Sequence, residues 1–195
     1  MKAAVLENIK QALLVKEIET PEPKSGEALI QIKAAALNHR DIYISQGLYA
    51  AIKTPVILGS DGSGVVVKVG STSDQHWLNQ SVIINPNIEW GENQSVQSKN
   101  YNILGMPSNG TLSEYVVVNT DRLHLKPEFM SYEQAAAIPL AGLTAYRALF
   151  TKAKLTERDR LFISGTGGGV ALTALQMATA MGTEVWVSSG SEDKI

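Results

Sequence analysis

The stretch from Arg158 to Lys194 constrains the fold more than any other part of the chain. It reads RDRLFISGTGGGVALTALQMATAMGTEVWVSSGSEDK. An apolar run, Leu161 to Ile163, leads into Gly165, Gly167, Gly168 and Gly169. A helical stretch from Val170 to Met181 follows, then Gly182, then a second apolar run from Val185 to Val187. That order predicts strand, glycine turn, helix and parallel strand, the unit that opens a dinucleotide-binding fold. Only Ile195 comes after it, whereas such a domain continues through several more strands. The expectation is a first half of a nucleotide domain without its second.

Composition bears on what else the chain can be. Of 195 residues, 44% are hydrophobic and 18% charged, with a net charge of −2. This is the balance of a globular protein and gives no basic face for nucleic acid. There are no cysteines, so disulfides and thiolate metal sites are excluded. The N-terminus has no long apolar stretch, and no run approaches the roughly 18 apolar residues of a membrane span. A cytoplasmic protein that binds neither membrane nor nucleic acid is expected.

Upstream of Pro127 the chain reads mostly as short strands. Ala3 to Leu6, Leu13 to Ile18, the alternating stretch around Ala28 to Ala34, Val65 to Val69, Val82 to Ile84 and Tyr115 to Val118 are the candidates. Val65 to Val69 follows the small-residue stretch GSDGSG. A short helix is expected over Arg40 to Gln46, closed by Gly47. The polar segment from Asn85 to Asn109 is too long for a hairpin and is read as a functional lobe or loop. Ser131 and Gln134 fit a capping box for a helix starting near Tyr132, and a further helix resumes after Pro139 over Leu140 to Leu149.

The glycines of the turn have a chemical purpose. The backbone must turn sharply and approach a pyrophosphate with no Cβ in the way, and the helix N-terminus then offers N–H groups and a positive dipole end. Ala171 takes the place of the third small residue. At the end of the second strand an NAD site usually has an acidic residue. This chain has Ser188 and Ser189, followed by Lys194. Hydroxyls and a cation suit a 2′-phosphate and favour NADPH, although Lys194 alone also reads as a solvated surface lysine.

Five stretches together give a resemblance: NHRDIYISQGLY (Asn38 to Tyr49), LGSDGSGVVVKVG (Leu58 to Gly70), GTLSEYVVV (Gly110 to Val118), AAAIPLAGLTAYRAL (Ala135 to Leu149) and the glycine turn. The chain resembles the medium-chain dehydrogenase/reductases, and within them the zinc-free, quinone-oxidoreductase-like branch. The resemblance implies an α/β protein, with a GroES-like β-barrel catalytic domain over residues 1–128. Linker helices and the first βαβ unit of an incomplete Rossmann domain would follow over 129–195. It implies an active site in the cleft between the domains and, in the parent family, a homodimer whose edge is missing here.

By position, zinc-dependent members have cysteine where this chain has Asn38, histidine at Ser60, a second cysteine at Leu140, and glutamate at Asp61. One carboxylate cannot hold a catalytic zinc. The four cysteines of the relatives' structural zinc are also absent, so no metal is expected. The zinc-free branch implies a nicotinamide pocket containing Asn38, Tyr43 and Thr144, and Tyr49 falls where the related enoyl reductases of the superfamily have a tyrosine implicated in proton donation. Gly165, Gly167, Gly168, Gly169, Val170, Ser188, Ser189 and Lys194 would hold NADPH. Asp41 reads as structural, and His39 and Arg40 as surface residues. Tyr43 and Tyr49 also read as half-buried aromatics, and Thr144 as a threonine back-bonded within its helix.

The expected activity is NADPH-dependent reduction of a quinone or an α,β-unsaturated carbonyl compound, with Asn38, Tyr43 or Tyr49 meeting charge on the substrate oxygen. A rival expectation is a catalytically inactive remnant or interaction module, since two strands with one crossover leave the sheet edges unpaired. A GroES-like cap would explain the barrel but not the glycine turn.

Overall fold

The computed structural model describes residues 1–191. The chain divides into two compact units, Met1–Pro139 and Leu140–Ile195.

The first unit is built from short antiparallel strands. β1 (Lys2–Leu6) pairs with β2 (Leu14–Glu17) on one side. The long strand β3 (Glu27–Ala36) is followed by helix α1 (His39–Ser45), and β4 (Val56–Ile57) then closes on the other side of β1. β5 (Asp61–Val69), β6 (Ser81–Ile84), the small hairpin β7 (Asn87–Ile88) and β8 (Asn102–Ile103), β9 (Tyr115–Asn119) and β10 (Leu123–Leu125) complete it. β10, β6, β5, β3 and β9 lie side by side in that order. The two sheets meet where Ala3 bridges to Ser113 and the Ala4 N–H donates to the Leu112 carbonyl at 2.8 Å.

Period-two burial fills the interior: Ala28 and Ile30 of β3, Val66 of β5, Val82 and Ile84 of β6, and Val116 and Val118 of β9 form one core. A second cluster, Leu6, Ile44, Val56, Leu58 and Met106, packs α1 against the other sheet.

The strand expected from Val65 starts earlier, because β5 takes in most of the small-residue stretch and begins at Asp61. A Cβ built on Gly64 would lie 2.1 Å from the Gln31 carbonyl oxygen across the β3–β5 pair. Small residues here let two bulged strands approach closely.

The polar segment from Asn85 folds on itself. Trp90 and Tyr101 meet edge to face at 4.9 Å, and the Arg122 guanidinium donates to the Asn87 carbonyl at 2.9 Å. Helix α2 (Tyr132–Ala136) starts with the expected capping box: the Gln134 N–H donates to Ser131 Oγ at 3.2 Å and the Ser131 N–H to Gln134 Oε1 at 2.9 Å. It sits on the five-stranded sheet through buried Ala135 and Ala136, and Ser63 Oγ donates to the Tyr132 carbonyl at 2.6 Å.

Helix α3 (Pro139–Tyr146) has its proline at the first helical position, where the missing N–H is harmless, and runs into a π-helical turn, Arg147–Lys152. In the second unit β11 (Arg160–Ser164), α4 (Gly169–Met181) and β12 (Glu184–Ser188) form the βαβ motif, with β11 and β12 parallel and Ile163 opposite Val187. Ala174 and Ala178 of α4 cover Ile163, Val185 and Val187. Phe162 and Trp186, paired in register on the opposite face, remain 65% and 61% exposed.

Candidate functional site

The first constellation lies where α1, the start of β5 and the turn after β8 converge. The Asn38 N–H donates to Asp41 Oδ2 at 2.9 Å, and the Gly59 N–H donates to Asp41 Oδ1 at 3.2 Å. Asp41 thus ties the start of its own helix to the chain entering β5. Asn38 Nδ2 donates to Asp61 Oδ2 at 2.9 Å, with Asp61 only 1% exposed. Thr111 Oγ1 fixes the same segment by donating to the Asp61 carbonyl at 2.8 Å.

Arg40 corrects the sequence reading. It is no surface residue, being 8% exposed. Its Nη1 donates to Ser60 Oγ at 2.6 Å and to the Leu104 carbonyl at 2.9 Å, and its Nη2 donates to the Met106 carbonyl at 3.3 Å. Ser60 Oγ in turn donates its proton to the Leu104 carbonyl at 2.8 Å. That hydroxyl is therefore committed both as acceptor and as donor. His39, beside it, is exposed as expected. Arg40 and Ile44 are one helical turn apart and share the buried face of α1.

Tyr49 packs its ring against the Leu6 and Ile44 cluster, with the Arg40 guanidinium carbon 5.2 Å from the ring centroid. Tyr43 is 47% exposed, its ring 6.4 Å from that of His39. Asn38, Tyr49 and Arg40 are thus brought to one locality, while Tyr43 stands on the outer face of α1. Among the described residues no three His, Cys, Asp or Glu side chains gather as a metal site would need.

The second constellation is the glycine turn. Gly165 has φ +72°, the left-handed region that only glycine enters freely, and its N–H donates to the Ser188 carbonyl at 3.0 Å. A concavity of about 380 Å³ is lined by Gly165, Gly167, Gly168, Ser189, Gly190 and Ser191. A Cβ on Gly165 or Gly168 would meet nothing within 4 Å, and one on Gly169 would only touch Ala141 at 3.5 Å. Thr166 Oγ1 is buried without a hydrogen-bond partner among the described residues. An open glycine-lined concavity, an orphan hydroxyl and the start of the 13-residue helix α4 together fit a phosphate group.

Val170, in the first turn of α4, is 43% exposed, and Ser188 and Ser189 are half-buried at the end of β12. Thr144 is exposed on α3 and its Oγ1 donates to the Leu140 carbonyl at 2.7 Å, the back-bonded arrangement. Lys194 lies outside the described residues.

Residues 24–128 match the alcohol dehydrogenase GroES-like domain family, more than half of the chain. The chain is 35% identical over 190 residues to the zinc-type alcohol dehydrogenase-like protein YogA of Leptosphaeria maculans, a match covering 91% of this chain and 52% of that protein. It is 34% identical over 200 residues to an acryloyl-coenzyme A reductase of Metallosphaera sedula, covering 100% of this chain and 60% of the relative. A crystal structure of an NAD-dependent alcohol dehydrogenase superimposes with a TM-score of 0.90 at 35% identity, over 100% of this chain and 59% of that one. The chain thus spans little more than half the length of these relatives. With a GroES-like unit followed by the first βαβ unit of a Rossmann domain, the chain belongs to the zinc-type alcohol dehydrogenase-like members of the medium-chain dehydrogenase/reductase superfamily.

Proposed function

We propose that this chain carries the substrate-side residues and the first cofactor-binding unit of a zinc-independent, NADPH-dependent reductase of quinones or α,β-unsaturated carbonyl compounds, in the quinone-oxidoreductase-like branch. The observation that carries the reading is the Arg40 guanidinium on Ser60 Oγ at 2.6 Å. The positions that resemble a zinc site in other members are Asn38, Ser60 and Asp61. Here Ser60 is already saturated by a cation and a carbonyl, so a divalent ion would face a fixed positive charge. The donor set does not fit zinc. Polarisation of a substrate oxygen then falls to hydrogen-bond donors.

The glycine turn does fit a dinucleotide. Gly165, Gly167, Gly168 and Gly169 with the Val170 turn of α4 would hold the pyrophosphate. Ser188 and Ser189, with Lys194, would meet a 2′-phosphate, and Thr144 would line the nicotinamide side. NADPH would supply the hydride and leave as NADP⁺. Asn38, Tyr43 or Tyr49 would donate to the substrate oxygen, and Asn38 and Tyr49 are the two that share a locality. Tyr49 would give up its phenolic proton to the reduced substrate, which with the cofactor's hydride would gain two electrons and two hydrogens, and solvent would restore the phenol. The acryloyl-coenzyme A reductase among the relatives is named for an α,β-unsaturated substrate, which supports this substrate class.

The test is turnover of a quinone and of an α,β-unsaturated ketone by the purified chain with NADPH or NADH. Tyr49→Phe is expected to lower kcat by about 100-fold or more while leaving NADPH affinity unchanged. Undiminished turnover in both Tyr43→Phe and Tyr49→Phe overturns the donor assignment, and preference for NADH overturns the cofactor.

A further inference from the structure

Among the described residues Arg40 is the only Lys or Arg that is buried, and it forms no ion pair. Two buried carboxylates lie on neighbouring segments, yet Asp41 is served by the N–H groups of Asn38 and Gly59, and Asp61 by the Asn38 amide. The guanidinium is held by neutral oxygens: Ser60 Oγ and the carbonyls of Leu104 and Met106. Its Nε–H has no partner among the described residues. Burying a cation on neutral acceptors alone costs folding energy that an apolar side chain would avoid.

One further group touches that guanidinium. Tyr49 stacks on it, its ring otherwise fixed by apolar neighbours, and the Tyr49 hydroxyl has no hydrogen-bond partner among the described residues. The planar cation therefore fixes the face of the ring without occupying its polar tip.

We infer that Arg40 is a positioning residue that clamps Tyr49 between its guanidinium and the apolar cluster, keeping the phenol free to donate to a ligand oxygen. The inference rests on the reading of Tyr49 as a donor to substrate, but the clamp itself is measurable without turnover. The same guanidinium grips the 104–106 turn, so a disturbance there is transmitted to Tyr49.

Two measurements on the 195-residue chain decide it. In the first, phenylalanines with one, two and three ring fluorines replace Tyr49, which weakens the ring's attraction for a cation stepwise while leaving Arg40 untouched. The unfolding constant is expected to rise with each fluorine, by about 3- to 30-fold across the series, the span of measured cation–π strengths. In the second, a double-mutant cycle pairs Arg40→Lys with Tyr49→Leu, and the coupling is expected in the same range. A flat fluorine series, or a coupling below 2-fold, overturns the clamp, because a role confined to Ser60 and the 104–106 carbonyls would give both. Tyr49→Phe separates the two claims. If it leaves turnover unchanged while the fluorine series still slopes, the clamp stands and the donor reading falls.

Discussion

Asp41 and Arg40 are consecutive, oppositely charged and both buried, yet they face different partners, and that division shapes the substrate-side cluster. Asp41 takes two backbone N–H groups, one at the start of α1 and one on Gly59, so a single carboxylate fixes the angle between the helix and the chain entering β5. Arg40 takes the carbonyls on the far side. Asp41→Asn keeps the shape but leaves one oxygen where two accepted, and turns an amide donor toward an N–H. With the group 5% exposed, a loss of about 1–3 kcal/mol is expected, the cost of a buried donor left unpaired. Chemical denaturation of the variant measures it, and a loss below about 0.5 kcal/mol would show that water meets the freed N–H instead.

The secondary elements followed from patterns with local causes. The strands of the first unit alternate with period two because one face of each is core, and the α2 capping box is a spacing of two residues, Ser131 and Gln134. Two features depend on contacts remote in sequence. Gly64 is required only because β3 lies close beside β5. The burial of Arg40 depends on carbonyls more than 60 residues away, at Leu104 and Met106, which no local pattern records. The glycine turn lies between these cases. Gly165 is demanded by its own backbone, whereas Gly168, with φ −96° and open space around its Cβ position, is not demanded by the fold at all. Gly168→Ala is therefore expected to change stability by less than about 1 kcal/mol. It should nevertheless weaken NADPH binding at least tenfold, because the new methyl would stand where the pyrophosphate approaches. Thermal unfolding and a fluorescence titration of the same protein separate the two. Equal NADPH affinity in both proteins would remove the turn from the cofactor site.

Among the described residues the buried apolar side chains form three clusters in the first unit and one in the second. Those of the first unit pack along its five-stranded sheet and its three-stranded sheet, while that of the second rests on α4, part of α3 and its π-helical extension, and two parallel strands whose outer face exposes Phe162 and Trp186. A two-stranded sheet with one face covered is near the limit of what folds alone. The relatives place this motif within chains nearly twice as long, so further strands in those chains can extend it. Two thermal transitions are therefore expected, with the second unit melting first. Trp186 lies in the second unit, and Trp77 and Trp90 in the first, so replacing Trp186 by Phe assigns the fluorescence change of each transition. If the glycine turn binds NADPH, only the lower transition should move, by an increment that follows mass action: about 1.4 kcal/mol when NADPH is ten times its dissociation constant. The midpoint rising with NADPH but not with an equal concentration of NADH would locate both cofactor binding and its 2′-phosphate preference in the second unit. A single transition would show that the two units unfold as one. A shift of the upper transition alone would place the nucleotide on the first unit and end the case for the glycine turn.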